Sequence, residues 1–181
     1  MTREAVFLQG ARVVLKFLNP QADLTAYERW VNDQETTLYM AVGNFPTSAT
    51  QLRSYIEECN VSEQFLLGIF IDGGERHVGN IKLHRIDQQN QTAEIGILVG
   101  ENDIRGKGIG AEALHLLVAH AFNRLNLNKI TAGVIEGNEA SCRMFEKVGF
   151  KREGLLRGQF YLDGVFRGCL LYGLLRSEYK K

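Results

Sequence analysis

Long hydrophobic runs, clustered cysteines and an excess of either charge are all missing from this 181-residue sequence. No apolar stretch approaches the roughly 18 residues that a membrane-spanning helix needs, and the first residues lack the apolar core of a secretory signal. The three cysteines, Cys59, Cys142 and Cys169, are isolated and odd in number, which argues against a disulfide framework. We therefore expect a cytoplasmic protein that has no membrane partner.

The sequence also lacks the charge and ligand patterns of two common classes of binding protein. Lys and Arg total 21 and Asp and Glu total 21, so the net charge is zero. Proteins that bind nucleic acids need a basic surface to displace counterions from phosphates, so we expect no nucleic-acid partner. The four histidines share no metal-ligand spacing beyond a bare gap between His115 and His120, and no metal site is expected.

The residue pattern predicts one domain over residues 6–179, because only two prolines and no low-complexity tract interrupt it. Strands and helices are mixed rather than strictly alternating. We therefore expect an α/β (α+β) fold with a mixed, mostly antiparallel sheet flanked by helices. Apolar periodicity and turn residues predict strands at 13–17, 65–71, 78–86, 92–99 and 129–135, helices opening at Asn19-Pro20, Ser48 and residue 108, a short helix over 138–148, and a closing hairpin turning at Asp163-Gly164.

The most informative segment runs from Arg105 to Ala111 and reads RGKGIGA. Its three glycines let the backbone approach a ligand closely, and the segment opens a long helix. Unpaired N–H groups at a helix N-terminus favour an anion, and Arg105 and Lys107 add cationic side chains. The segment therefore predicts a cradle for a pyrophosphate, with a glycine-rich connection that binds nothing as the alternative.

Three phosphate-binding patterns compete for this segment. The P-loop pattern fails because no Gly-Lys-Ser/Thr occurs. The dinucleotide pattern is met literally by Gly106, Gly108 and Ala111, but the next strand holds no acid, so a nucleotide-binding oxidoreductase is the weaker alternative. The pattern R/Q-x-x-G-x-G/A is met in register by Arg105, Gly108 and Gly110.

Two motifs resemble the GNAT superfamily of N-acetyltransferases. Residues 93–99 followed by 105–110 look like the family's coenzyme A motif, and residues 138–141 followed by 145–150 look like its later motif. Further segments resemble the branch of ribosomal-protein N-terminal and spermidine acetyltransferases: 30–35, Phe45-Pro46 and 160–179.

The resemblance implies acetyl-CoA as co-substrate and assigns roles along it. The backbone of Ile97, Leu98 and Val99 would pair with the pantetheine arm like an added strand, and Asn138 would contact the same arm. Phe145 and Lys147 would lie along the coenzyme, although Asn138 also suits a helix N-cap and Phe145 a core position. The amides that would hold the pyrophosphate are those of Arg105, Gly106, Lys107, Gly108, Ile109 and Gly110.

Acetyl transfer to a primary amine requires that the amine lose a proton. An alkylammonium has a pKa of about 10.4, so freeing its lone pair at pH 7 costs roughly 4–5 kcal/mol. Glu94 stands in an otherwise apolar strand and is similar in position to the general base of several family members. A solvated glutamate without a catalytic part is the alternative.

The sequence departs from the family at Phe145, where many members carry a tyrosine that protonates the departing thiolate. Phenylalanine cannot do this, although a thiol of pKa about 8.5 leaves tolerably at neutral pH. Ser141 matches a serine proposed as the acid in the ribosomal-protein branch, and local hydrogen bonding is its alternative role. Tyr161 and Tyr172 are further candidates.

The acceptor is predicted from charge alone. Residues 21–63 carry two bases, Arg29 and Arg53, and seven acids, a net charge of −5. In this fold that segment usually walls the acceptor side, so it would attract a polyamine or a protein N-terminus.

We expect direct attack by the amine in a ternary complex, because no Cys–His pair is positioned for a covalent route. Alternatives are an amino-sugar nucleotide acceptor and a silent acyl-CoA-binding module, and the C-terminal hairpin is a candidate surface for self-association. The seven acids are Asp23, Glu28, Asp33, Glu35, Glu57, Glu58 and Glu63.

Overall fold

A computed structural model describes residues 5–61 and 64–180. Eight strands form one sheet in the order β1-β2-β3-β4-β5-β6-β8-β7. The strands are β1 Val6–Gln9, β2 Val14–Phe17, β3 Phe65–Ile71, β4 Arg76–Asp87, β5 Thr92–Val99, β6 Lys129–Ile135, β7 Lys151–Leu162 and β8 Val165–Leu175. The helices are α1 Thr25–Asn32, α2 Gln34–Thr37, α3 Ala49–Val61, α4 Ile109–Asn123 and α5 Glu139–Val148.

The sheet is antiparallel except at its centre, where β5 and β6 run parallel. The expectation of a mixed, mostly antiparallel sheet flanked by helices is therefore confirmed. Two apolar clusters cover its faces. The larger one packs α4 and α5 against the strands, and the smaller one packs α1 and α3 around the fully buried Trp30 and Ile56.

Several local signals in the sequence are confirmed. Ser48 and Gln51 form a capping box at the start of α3, with the Gln51 side chain accepting from the Ser48 amide at 2.8 Å. Asp163 and Gly164 both have positive φ, 47° and 82°, as a two-residue hairpin turn requires. Gly149 ends α5 in the left-handed conformation.

The helix predicted to open at Asn19-Pro20 is wrong. The Asn19 side chain accepts from the Gln21 amide at 2.9 Å, which closes a turn there, and α1 begins only at Thr25. Asp23 then accepts from the amide of Thr25 at 2.9 Å. Short polar side chains that bond their own backbone compete with helix, and they delay its start. The residue pattern does not predict the two four-residue elements β1 and α2.

Candidate active site

The two central strands separate after a short contact. β5 and β6 pair only at Thr92, Ala93 and Glu94 with residues 129–131. β5 continues along β4 to Val99, and β6 continues along β8 to Ile135, so their facing edges lack ladder partners. A cavity of about 1240 Å³ fills the opening. The divergence therefore leaves room for a molecule lying between the two strands.

The glycine-rich loop closes one end of this cavity. Gly106 and Gly108 have φ of 75° and 83°, a conformation that glycine adopts without strain. The amides of Arg105 and Lys107 donate within the loop, to Asn102 O at 3.2 Å and Ile104 O at 3.3 Å. Within the described residues, the amides of Gly106 and of 108–110 have no acceptor. These four N–H groups stand at the start of α4, where the helix dipole favours an anion.

The cationic side chains near the loop differ from those expected. Arg105 turns toward α2, where Nη2 donates to Thr36 Oγ1 at 3.0 Å and Nη1 lies 3.6 Å from Glu35 Oε1. A Cβ at Gly108 would instead lie 3.4 Å from Arg12 Nη2 and 4.0 Å from Lys147 Nζ. The Arg105 side chain therefore contacts α2, and its contribution to an anion at the loop stays a prediction.

Arg12 is a residue that the pattern analysis missed. Its Nε lies 3.0 Å from Glu112 Oε2, and its Nη1 donates to Lys107 O at 3.0 Å. Partial burial raises the pKa of Glu112, but hydrogen bonds from the amides of Arg12 and Val13 outweigh it and leave the pKa below its ordinary value. Glu112 thus stays ionised and holds Arg12 beside a second cavity of about 360 Å³, which Lys107 and Lys147 also line. Only the folded chain brings the β1–β2 loop to this place.

The start of α5 faces the large cavity. Asn138 caps the helix, and its Oδ1 accepts from the Ser141 amide at 3.1 Å. Both residues line the cavity. Within the described residues, the Ser141 hydroxyl and the Asn138 side-chain amide nitrogen have no hydrogen-bond partner. The capping role of Asn138 therefore leaves its Nδ2 available to a bound molecule.

Phe145 lies in the core and also borders the cavity, and its contact with the coenzyme stays a prediction. The side chain is 3% exposed and lies edge to face with Phe150 at 5.1 Å, so it belongs to the core. Its surface also lines the cavity. Lys147, two residues on, is exposed and lines both cavities.

Ile97, Leu98 and Val99 lie on the open edge of β5 and line the cavity. A Cβ at Gly110 would lie 2.6 Å from Met144 Sδ and 3.2 Å from Val99 Cγ2. Glycine at this position therefore lets the start of α4 approach both β5 and α5 closely.

Glu94 lines the cavity near the point where β5 and β6 separate. Its Oε2 lies 2.8 Å from Arg85 Nη1, and the side chain is 32% exposed. His84 faces Glu94 across the β4–β5 ladder. Partial burial lowers the pKa of His84, while the Glu94 charge opposes that shift. Glu94 thus stands at the cavity as an ion-paired carboxylate.

The two alternative tyrosines differ in their relation to the cavity. Tyr172 lines it, but its hydroxyl donates to Glu146 Oε1 at 2.9 Å. Burial raises the pKa of the Tyr172 phenol, with Cys142 and Glu146 adding to the shift. Tyr161 is 65% exposed and packs on Phe166 outside the cavity.

The acidic segment does not form the wall that its charge suggested. Glu35 is the one described acid of this segment that lines the cavity, and it pairs with Arg105. Asp23 and Asp33 accept from nearby backbone amides instead. Glu63 lies outside the described residues. The expected attraction of a cationic acceptor by these acids is therefore not supported.

Residues distant in sequence also line the cavity. Tyr39 follows α2, Arg85 lies in β4, Arg143 in α5 and Gln159 in β7. No local motif marks any of them, because strand order and the β7–β8 hairpin bring them together.

In the part of the chain that the structure describes, no cluster of acidic, His and Cys side chains could hold a metal ion. None of its helices has the length and apolarity to cross a membrane.

Comparisons with known proteins agree with this architecture. A family model for the acetyltransferase (GNAT) domain matches residues 12–151. The uncharacterized N-acetyltransferase p20 of Bacillus licheniformis is 33% identical over 152 residues, which is 82% of this chain and 84% of that relative. The putative ribosomal N-acetyltransferase YdaF of Bacillus subtilis is 36% identical over 113 residues, covering 62% of this chain and 60% of the relative. The structure of spermidine N-acetyltransferase from Vibrio cholerae with CoA and spermine has a TM-score of 0.84 at 21% identity, covering 94% of this chain and 99% of that one.

The chain belongs to the GNAT family of N-acetyltransferases. Members of this family are enzymes that use acetyl-CoA as the acetyl donor. The open strand edge and the four available amides described above fit a donor that has a strand-like arm and a diphosphate.

Proposed function

We propose that this protein transfers the acetyl group of acetyl-CoA to a primary amine of a small molecule or peptide. The gap between β5 and β6 carries the proposal, because it joins the glycine-rich loop at one end to an acceptor-side cavity at the other. The backbone of Ile97, Leu98 and Val99 would pair with the pantetheine arm. The amides of Gly106 and residues 108–110 would hold the diphosphate, with Arg12 and Lys147 beside them.

The donor supplies a thioester, and the remaining chemistry belongs to this chain. Glu94 would take the proton of the acceptor ammonium, directly or through water, so that the amine nitrogen can attack the thioester carbonyl. Attack forms the C–N bond, and the C–S bond breaks as the nitrogen gives up its second proton to solvent. The thiolate takes a proton from solvent or from Ser141, which solvent then reprotonates. Asn138 Nδ2 would orient the pantetheine arm at the same end of α5.

The burial and positions of the cysteines favour direct attack in a ternary complex over a covalent acyl-enzyme. Cys142 is buried, and it lies on the Tyr172 side of α5 rather than in the cavity. Cys169 lines the cavity, but burial raises the pKa of its thiol, which disfavours a thiolate nucleophile. Neither cysteine therefore suits a covalent acyl-enzyme.

Amino sugars and their nucleotides are the second acceptor class. The reason for keeping them is that Arg143 lines the cavity and forms no ion pair among the described residues, so its charge is available to an anionic group. The spermine in the Vibrio cholerae structure and the ribosomal name of YdaF support polyamines and protein N-termini as acceptors.

The test is release of free thiol from acetyl-CoA across a panel of polyamines, peptide N-termini and amino sugars, corrected for hydrolysis. Initial rates with both substrates varied should give intersecting double-reciprocal lines, as a ternary complex requires. Parallel lines would refute direct attack. Binding of acetyl-CoA with no thiol release above background for any amine would instead support a catalytically silent acyl-CoA-binding module.

We further propose one catalytic domain over residues 6–179, acting in the cytoplasm. Self-association through the C-terminal hairpin is supported by the exposure of Tyr161, Val165 and Phe166, which are 65%, 55% and 69% accessible. Sedimentation would test self-association. We expect the wild type to sediment as a dimer and the Phe166→Ser variant as a monomer.

A further inference from the structure

Arg167 lies on the β8 strand, next to residues that line the cavity. It faces Phe160 across the β7–β8 ladder and is two residues from Cys169, on the same face of the sheet. Phe160 and Cys169 both line the cavity. A Cβ at Gly137 would lie 3.2 Å from Arg167 Nη1 and 3.4 Å from the Tyr39 hydroxyl. The guanidinium and the phenol therefore share one side of the turn that precedes α5.

Three basic side chains at or beside the cavity each lie against an acid, so none of the three is free to bind an acceptor's charge. The pairs are Arg85 with Glu94 at 2.8 Å, Arg105 with Glu35 at 3.6 Å, and Lys129 with Glu153 at 2.8 Å. Arg143 also lines the cavity and forms no ion pair among the described residues, but its side chain is exposed to solvent.

Arg167 differs from these pairs. Among the described residues no Asp or Glu forms an ion pair with it, and its buried Nε has no acceptor. The nearby Glu136 is engaged elsewhere, because its Oε2 accepts from the Gly168 amide at 3.1 Å. A partly buried guanidinium that lacks acceptors is costly, so such a group is expected to have a partner that the chain does not supply.

We propose that Arg167 and Tyr39 bind an oxyanion carried by the acceptor amine. A guanidinium offers two parallel donors to a carboxylate or phosphate, and the Tyr39 hydroxyl adds a third. The acceptor class is therefore an amine whose molecule also bears an anionic group, rather than a polyamine. This inference rests on the proposed amine acetylation and narrows its substrate.

Matched pairs of amines test the inference. Lysine and cadaverine differ by one carboxylate, and glucosamine 6-phosphate and glucosamine differ by one phosphate, so the two pairs also distinguish the sources of the oxyanion. We expect one member that bears the oxyanion to exceed its partner without it about 10- to 100-fold in kcat/KM, as a charge-assisted hydrogen-bond pair allows. Arg167→Gln should remove that preference while leaving the member without the oxyanion nearly unchanged, and Tyr39→Phe should reduce it.

Two controls separate this inference from other effects. Arg157→Gln removes a positive charge from the same hairpin at an exposed site outside the cavity, and the preference should survive. Affinity for CoA, measured by calorimetry, should stay within about twofold in Arg167→Gln, which excludes misfolding. Equal rates for both members of each pair, or equal losses for both in Arg167→Gln, would overturn the inference and leave amine acetylation standing.

Calorimetric titration of the same pairs into the CoA-saturated protein gives a readout that needs no turnover. The member that bears the oxyanion should bind more tightly to the wild type, and Arg167→Gln should abolish the difference. If no amine is acetylated but this difference appears, the proposed function fails and the oxyanion site stands. If neither member of either pair binds, the oxyanion site is refuted.

Discussion

Replacing Gly108 by alanine should weaken donor binding as well as the fold. Gly108 precedes α4 with φ of 83°, a conformation that costs an L-residue roughly 1–2 kcal/mol. The new methyl would lie between Arg12 Nη2, at 3.4 Å, and Lys147 Nζ, at 4.0 Å, where we place a diphosphate oxygen. Losing one or more hydrogen bonds to that charged group costs roughly 1.5–3 kcal/mol. We therefore expect the Kd for CoA, measured by calorimetry, to rise about 10- to 100-fold.

Gly73→Ala is the matched control for this experiment. Gly73 also has positive φ, 68°, and a Cβ there would meet nothing within 4 Å, but it lies in the β3–β4 turn and not at either cavity. Both variants should lose a similar free energy of unfolding, with a fall in Tm of roughly 2–4 °C per kcal/mol. Only Gly108→Ala should lose CoA affinity. Equal CoA affinity in the two variants would refute our placement of the diphosphate.

Four further predictions address catalysis and stability. Glu94→Gln should lower kcat about 10²- to 10⁴-fold with little change in CoA affinity, because a general base is removed; an unchanged kcat would exclude Glu94 from proton transfer. Cys142→Ala should keep most of its turnover in the thiol-release assay, and a large loss would revive a covalent route. Gly100→Ala should cost roughly 1–3 kcal/mol in urea unfolding, because its Cβ would lie 2.0 Å from Trp30 Cδ2; a loss below about 0.5 kcal/mol would contradict this packing. Burial lowers the pKa of His77, so its neutral form stabilises the fold above a pH of about 6.5, and that contribution is lost as the pH falls toward the folded-state pKa. The urea midpoint of wild type should therefore fall more than that of His77→Gln between pH 7.5 and 5, and parallel curves would count against the assignment.

Elements with strong local signals could be predicted from the sequence. The β5 strand has the same bounds in the pattern and in the structure, Thr92–Val99, and so has β6, because both are apolar runs flanked by turn residues. The Asp163-Gly164 turn was recognisable because both residues tolerate positive φ. The start of α1 was not recognisable, since Asn19-Pro20 suits a turn as well as a helix N-terminus.

The candidate site likewise has residues that the sequence could predict and residues that it could not. The glycine-rich loop and the Asn138 cap depend on neighbouring residues, and their sequences carry enough information to locate them. The direction of the Arg105 side chain depends on α2, about 70 residues away in the chain, so no local pattern could give it. Arg12 and Arg167 likewise enter the site through loop placement and strand order, which the residue periodicity does not encode.

The short parallel ladder between β5 and β6 has a mechanical consequence. Three residue pairs join the half-sheet of the first five strands to the half-sheet of the last three, and packing between α4 and α5 provides much of the remaining cohesion. A molecule bound in the opening that hydrogen-bonds to both half-sheets would add a further link between them. Substrate would thus be part of what makes the two halves unfold as one cooperative unit.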